Sequence, residues 1–128
     1  MRKIFTVDVV MNGNKKKIDL ACDCVAISIT IDLGGGPKKT YFGSDFYKCF
    51  AALRKDNDDL VFYCKGAKTN VHPSSMASQM SLGLKAYELV IGKEPSIDDL
   101  VFIFDYEEKD LSGDPDEQRQ FYLSWMAS

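Results

Sequence analysis

The sequence predicts an α+β fold, an antiparallel or mixed β-sheet with helices packed on one face, formed by residues 1–128 as a single domain. Three observations carry that expectation. Apolar and polar residues alternate with period two through Lys3–Met11 and again through 25–32. Asn12-Gly13-Asn14 between two such runs is a strong hairpin signal, because Asn and Gly tolerate the positive φ of a tight turn. Helix-like patterns with recognisable caps interrupt the β runs irregularly rather than in βαβ alternation.

Taken in order, Lys3–Met11 places Phe5, Val7, Val9 and Met11 on one face, which is expected to look inward. Lys15–Leu33 reads as one long bent strand or two consecutive ones, with Val25, Ile27, Ile29 and Ile31 opposite Ser28, Thr30 and Asp32. Gly34-Gly35-Gly36-Pro37 is a loop, and Tyr41-Phe42 a short returning strand. Ser44 is suited to cap a helix running to about Lys55. Its buried stripe would be Phe46, Cys49, Phe50 and Leu53, with Arg54 and Lys55 at the negative C-terminal end. Leu60–Cys64 is a further β run, and Thr69–Ser75 is irregular because Pro73 disfavours helix at His72. Ser74 or Ser75 caps a short helix that Gly83 ends, and Lys85–Ile91 and Leu100–Phe104 are strands. Asp114-Pro115-Asp116-Glu117 starts a last helix whose apolar side is Phe121, Tyr122, Trp125 and Met126.

With 128 residues, 45% of them hydrophobic and 27% charged, the chain has ordinary globular composition. A chain of this length buries roughly two thirds of its unfolded surface and needs no metal or disulfide for stability. Its apolar runs are too short to span a bilayer, and Asp8 interrupts the only stretch that resembles a leader peptide. A cytoplasmic protein that engages no membrane is therefore expected. Cys22, Cys24, Cys49 and Cys64 read as reduced thiols, since their spacing suits neither a zinc pair nor mutual pairing.

Signs of catalysis are sparse. The one histidine, His72, has no nucleophile elbow or evident triad partner. Gly34–Thr40 fails the phosphate-loop pattern, because no Gly precedes the Lys-Thr and no helix follows directly. Lys15-Lys16-Lys17 and Lys38-Lys39 are short and poor in interleaved aromatics, so direct nucleic-acid binding is not expected. No cofactor is implied.

The distribution of charge is more informative than its total of −3. Residues 1–93 carry 14 Lys/Arg against 9 Asp/Glu, a net of +5, whereas 94–128 carry 2 against 10, a net of −8. The densest part, Asp105-Tyr106-Glu107-Glu108-Lys109-Asp110, continues a strand into a loop. An acidic loop carrying an aromatic suits a basic protein surface, where opposite charge speeds encounter and Tyr106 adds buried area. The candidate contact residues are Asp98, Asp99, Asp105, Tyr106, Glu107, Glu108 and Asp110.

Three segments, Asn70–Met76, Gly83–Tyr87 and Asp99–Asp105, resemble small bacterial immunity proteins of contact-dependent growth inhibition and related polymorphic-toxin systems. The resemblance covers roughly residues 60–126. It implies a cytosolic inhibitor, not an enzyme, that binds and neutralises the C-terminal toxin domain delivered by a neighbouring bacterium. Such toxins are frequently nucleases, including ones that cut tRNA. The expected state is a monomer or weak dimer. The alternatives are a small enzyme with a site assembled from scattered residues, and a general protein-interaction module.

Overall fold

The structure, a computed structural model, describes residues 2–128. Its elements in chain order are β1 (Arg2–Met11), β2 (Asn14–Asp23), β3 (Ser28–Ile31), β4 (Lys39–Phe42), α1 (Phe46–Asp56) and β5 (Val61–Tyr63). There follow β6 (Val71–His72), α2 (Ser75–Ser81), β7 (Lys85–Glu88), β8 (Leu100–Phe102) and α3 (Pro115–Met126). The α+β class is as expected, but the strands form two antiparallel sheets instead of one. A five-stranded sheet runs β4-β3-β2-β1-β5, and a three-stranded sheet runs β6-β7-β8. The helices are accordingly distributed over both sheets. α1 packs on the β3–β4 end of the large sheet, α2 lies against β7, and α3 against α1 and β6.

The large sheet follows directly from local signals. Asn12 (φ 52°) and Gly13 (φ 79°) form a two-residue turn that sets the register Met11↔Asn14 through Arg2↔Asp23. That register puts Val7 opposite Ile18 and Phe5 opposite Leu20, so the inward faces of both strands coincide. With Ile29, Ile31, Phe46, Cys49, Phe50 and Leu53 they form the core. Each large apolar side chain buried there contributes about 1.5–3 kcal/mol. Lys16 shares this face but sends its ammonium out to the Leu33 carbonyl, 3.1 Å away.

Several boundaries differ from the sequence reading. The run 15–33 is two strands, separated by a turn in which the Asp23 carboxylate accepts the N–H groups of Val25 and Ala26. Val25 therefore lies in a turn and is exposed, and Ser28 is buried. Helix α1 is capped by Asp45, not Ser44; its carboxylate accepts the Lys48 N–H at 2.8 Å and the Ser78 hydroxyl at 2.6 Å. A buried charge that already holds α2 through Ser78 also matches the positive helix end better than a neutral hydroxyl does. β7 stops at Glu88, leaving Val90 and Ile91 exposed in a turn, and β8 stops at Phe102. α3 begins as predicted, with Asp114 as cap and Pro115 in the first turn.

Two polar helical residues are buried. Arg54 lies in the last turn of α1, as expected, but is only 2% exposed. Its guanidinium donates to the Gly66 carbonyl (3.1 Å), the Ser112 carbonyl (3.2 Å) and Gln118 Oε1 (3.0 Å). Burial without a carboxylate partner holds its pKa below the usual arginine range. Gln118 is the buried residue of α3, and its amide nitrogen donates to the Gly66 and Lys68 carbonyls. The helix is thus latched by polar contacts, while Leu123 and Met126 are exposed and Phe121, Tyr122 and Trp125 half-buried.

Candidate functional site

The acidic segment is a rigidly tethered loop. After β8, Ile103 and Phe104 are buried, and the chain then runs back along residues 63–69. The carbonyls of Ile103, Asp105 and Asp110 accept the N–H groups of Gly66, Lys65 and Thr69, and the Glu107 and Ser112 N–H groups donate to the Tyr63 and Ala67 carbonyls. Backbone pairing on both arms therefore fixes where Asp105–Asp110 project.

The candidate contact residues divide into two groups. Asp98 and Asp99 precede β8, in a 3-10 turn (Ile97–Asp99), whereas Asp105–Asp110 follow it. Asp98 is exposed. The Asp99 carboxylate closes a capping box by accepting the Ser96 N–H at 2.8 Å, so its local task is to hold that turn. In the second group Asp105, Glu108 and Asp110 are exposed, and Tyr106 is 48% exposed. Asp110 has φ 54°, a conformation that short Asx side chains tolerate.

Glu107 behaves differently from its neighbours. Its side chain is 12% exposed and lies 3.0 Å from both Lys65 and Lys68, each of which also pairs with Glu88. Its second oxygen accepts the N–H groups of Glu108 and Lys109. Burial disfavours its charge, but Lys68, Lys65 and these two N–H groups outweigh that and hold its pKa down at about 2. Glu88 first, with Glu107, raises the Lys65 ammonium above its ordinary value. The quartet fastens the acidic loop to the 65–68 segment. Lys65, Lys68 and Glu88 were not singled out from sequence, and no local signal marks them: Lys65 lies 23 residues from Glu88 and 42 from Glu107.

A second unpredicted participant is Lys15, in the β1–β2 hairpin. Its ammonium donates to the Tyr106 hydroxyl at 3.0 Å and sits 4.9 Å from the ring centroids of both Tyr63 and Tyr106. The Tyr106 hydroxyl in turn donates to Glu108 Oε2 at 3.3 Å. Donating to the Tyr106 hydroxyl raises the Lys15 pKa.

His72 is a packing residue. Its ring stacks on Tyr122 at 3.8 Å and meets Tyr47 edge-on, and its Nδ1 lies 2.8 Å from the Pro73 carbonyl. Burial lowers its pKa, which favours the neutral ring. Asp45, Ser74 and Ser78 line the same surface depression, but Asp45 is engaged by the Lys48 N–H and the Ser78 hydroxyl. The four cysteines are unpaired thiols; burial pushes Cys22 and Cys64 up to about 12 and Cys49 to about 11. Among the described residues no group of three or more His, Cys, Asp or Glu side chains is placed to hold a metal ion. No helix among them is long and apolar enough to cross a membrane. No protein-family model matches the chain, and no curated protein matches it.

Proposed function

We propose that this chain is a non-catalytic inhibitor of the immunity-protein class, acting in the bacterial cytoplasm on a toxin domain delivered by a neighbouring cell. The target in this reading is a nuclease domain, with tRNA-cutting enzymes within its range. One observation carries the proposal: the acidic C-terminal third presents Asp105, Glu108 and Asp110 around a half-exposed tyrosine on a loop anchored at both ends. A nuclease must attract a polyanion, so its active face is positively charged. A pre-ordered loop with exposed carboxylates enters the same field, gains a fast on-rate and excludes the substrate. Pre-ordering also limits the entropy lost when the complex forms.

The internal ion pairs refine the contact. Glu107 is compensated by Lys65 and Lys68, and Asp99 by its own turn, so the interface charge is assigned to Asp105, Glu108 and Asp110, with Asp98 beyond the other end of β8.

The test begins with the reading frame beside this gene, which should encode a long protein ending in a short basic domain that is toxic alone and harmless with this chain. Association of the two purified proteins is then followed by stopped flow against salt. The triple variant Asp105→Asn, Glu108→Gln, Asp110→Asn should lower the on-rate by about tenfold or more and flatten its salt dependence. An unchanged rate and slope would refute this placement of the contact. Turnover of a small molecule that disappears in His72→Ala would overturn the inhibitor reading itself.

A further inference from the structure

We propose that Tyr63 and Tyr106 form a docking site for a lysine side chain of the partner protein, occupied in the free protein by Lys15 as an internal stand-in. This deepens the reading above and rests on it, since it assigns a residue chemistry to the same loop.

The site is built from two separate parts of the chain. Tyr63 ends β5, and Tyr106 is held beside it by the antiparallel bridge to Cys64, giving ring centroids 6.1 Å apart with planes inclined at 57°. An ammonium 4.9 Å from both centroids lies within cation–π range of two rings at once. The phenol oxygen accepts one of its protons at 3.0 Å, and Glu108, taking the phenol proton at 3.3 Å, makes that oxygen a better acceptor. These are the parts of a cation-recognition site: π faces, a directed acceptor and a carboxylate behind it.

The present occupant is easily displaced. Lys15 is exposed, stands two residues past the hairpin turn, and has no carboxylate within ion-pair distance among the described residues. The two following lysines differ: Lys16 donates to the Leu33 carbonyl, and Lys17 is 2.7 Å from Asp8. Lys65 and Lys68 are closed off by Glu88 and Glu107, with side chains only 24% and 14% exposed. Lys15 can swing into water without breaking an ion pair and regain its side-chain freedom as a partner's lysine takes its place. Asp105 and Asp110 beside the site supply the longer-range attraction.

The 128-residue chain is titrated into a fluorescein-labelled peptide of alternating glycine and lysine, at low salt, with binding read by anisotropy. Lys15→Met should tighten binding about fivefold more than Lys109→Met, which removes the same charge from the loop without a ring contact. The gain should shrink in Lys15→Met/Tyr106→Phe, which keeps the ring but loses the phenol acceptor, and vanish in Lys15→Met/Tyr106→Leu, with circular dichroism confirming that each variant folds. Equal gains from Lys15→Met and Lys109→Met, or a gain that survives loss of the Tyr106 ring, would overturn the proposal. If that happens while the carboxylate triple variant still slows toxin association, only the lysine site is lost; if both experiments fail, the loop is not the contact.

Discussion

Replacing Glu107 by Gln removes one negative charge from the Lys65–Lys68–Glu88–Glu107 quartet while keeping a side chain of nearly the same shape, able to accept the N–H groups of Glu108 and Lys109. The Glu107 pKa is about 2 in the folded protein, against an ordinary 4.5. That gap of about 2.5, at about 1.36 kcal/mol for each pKa unit, sets a ceiling near ~3.4 kcal/mol. The quartet lies at the surface, Lys65 being 24% exposed, so solvent screening leaves about 1–2 kcal/mol. Glu107→Gln should therefore lose about that much at pH 7 and melt about 3–8 °C lower. A carboxylate depressed on folding contributes fully above its unfolded pKa, and the contribution fades as pH falls through the folded value. The difference between wild type and variant should thus be constant from pH 7 to about pH 5, shrink below 4.5 and be nearly absent near pH 2. Urea unfolding of both proteins across this range, followed by circular dichroism, measures it. A gap that is the same at pH 2.5 and pH 7 would locate the cost in packing, and no gap at pH 7 would refute the fastening role.

Two further substitutions probe the frame. Arg54→Met withdraws the buried donors from Gly66, Ser112 and Gln118 and should cost about 2–4 kcal/mol by urea unfolding; a loss below about 1 kcal/mol would mean that α3 is held by other contacts. Gly83→Ala sets a Cβ 2.8 Å from Asp45 Cγ at φ +79° and should cost about 2 kcal/mol, while Gly35→Ala, in open space without a positive φ, should stay within ~0.5 kcal/mol. Equal effects at the two glycines would disprove the contact with the α1 cap.

The large sheet and α1 were legible because their instructions are short-ranged. Asn12-Gly13 fixes the hairpin within two residues, and the alternation Phe5, Val7, Val9 names the inward face without reference to anything distant. Phe46, Cys49, Phe50 and Leu53 declare the buried stripe of α1 by helical spacing alone, and all four are fully buried. The second half was less legible. β6, β7 and β8 are two to four residues long, too short for a period to establish itself, so their grouping into a separate sheet had no local sign. The apolar pattern of α3 pointed to Phe121, Tyr122, Trp125 and Met126, yet Gln118 is the residue that docks, because its amide nitrogen reaches the Gly66 and Lys68 carbonyls.

For the candidate site, composition and order along the chain were enough to locate an acidic, tyrosine-bearing loop at 105–110. Which of its charges face outward was decided only by folding. Glu107 and Glu108 are neighbours of the same type, but one is turned against Lys65 and Lys68 and the other is left in solvent, and the lysines responsible come from 39 and 42 residues away. Tyr106 likewise gains its ammonium from Lys15, 91 residues earlier. Charge pairing depends on distance in space and falls off steeply with it, while sequence records only distance along the chain; the loop was readable, and the share of its charge that remains free was not.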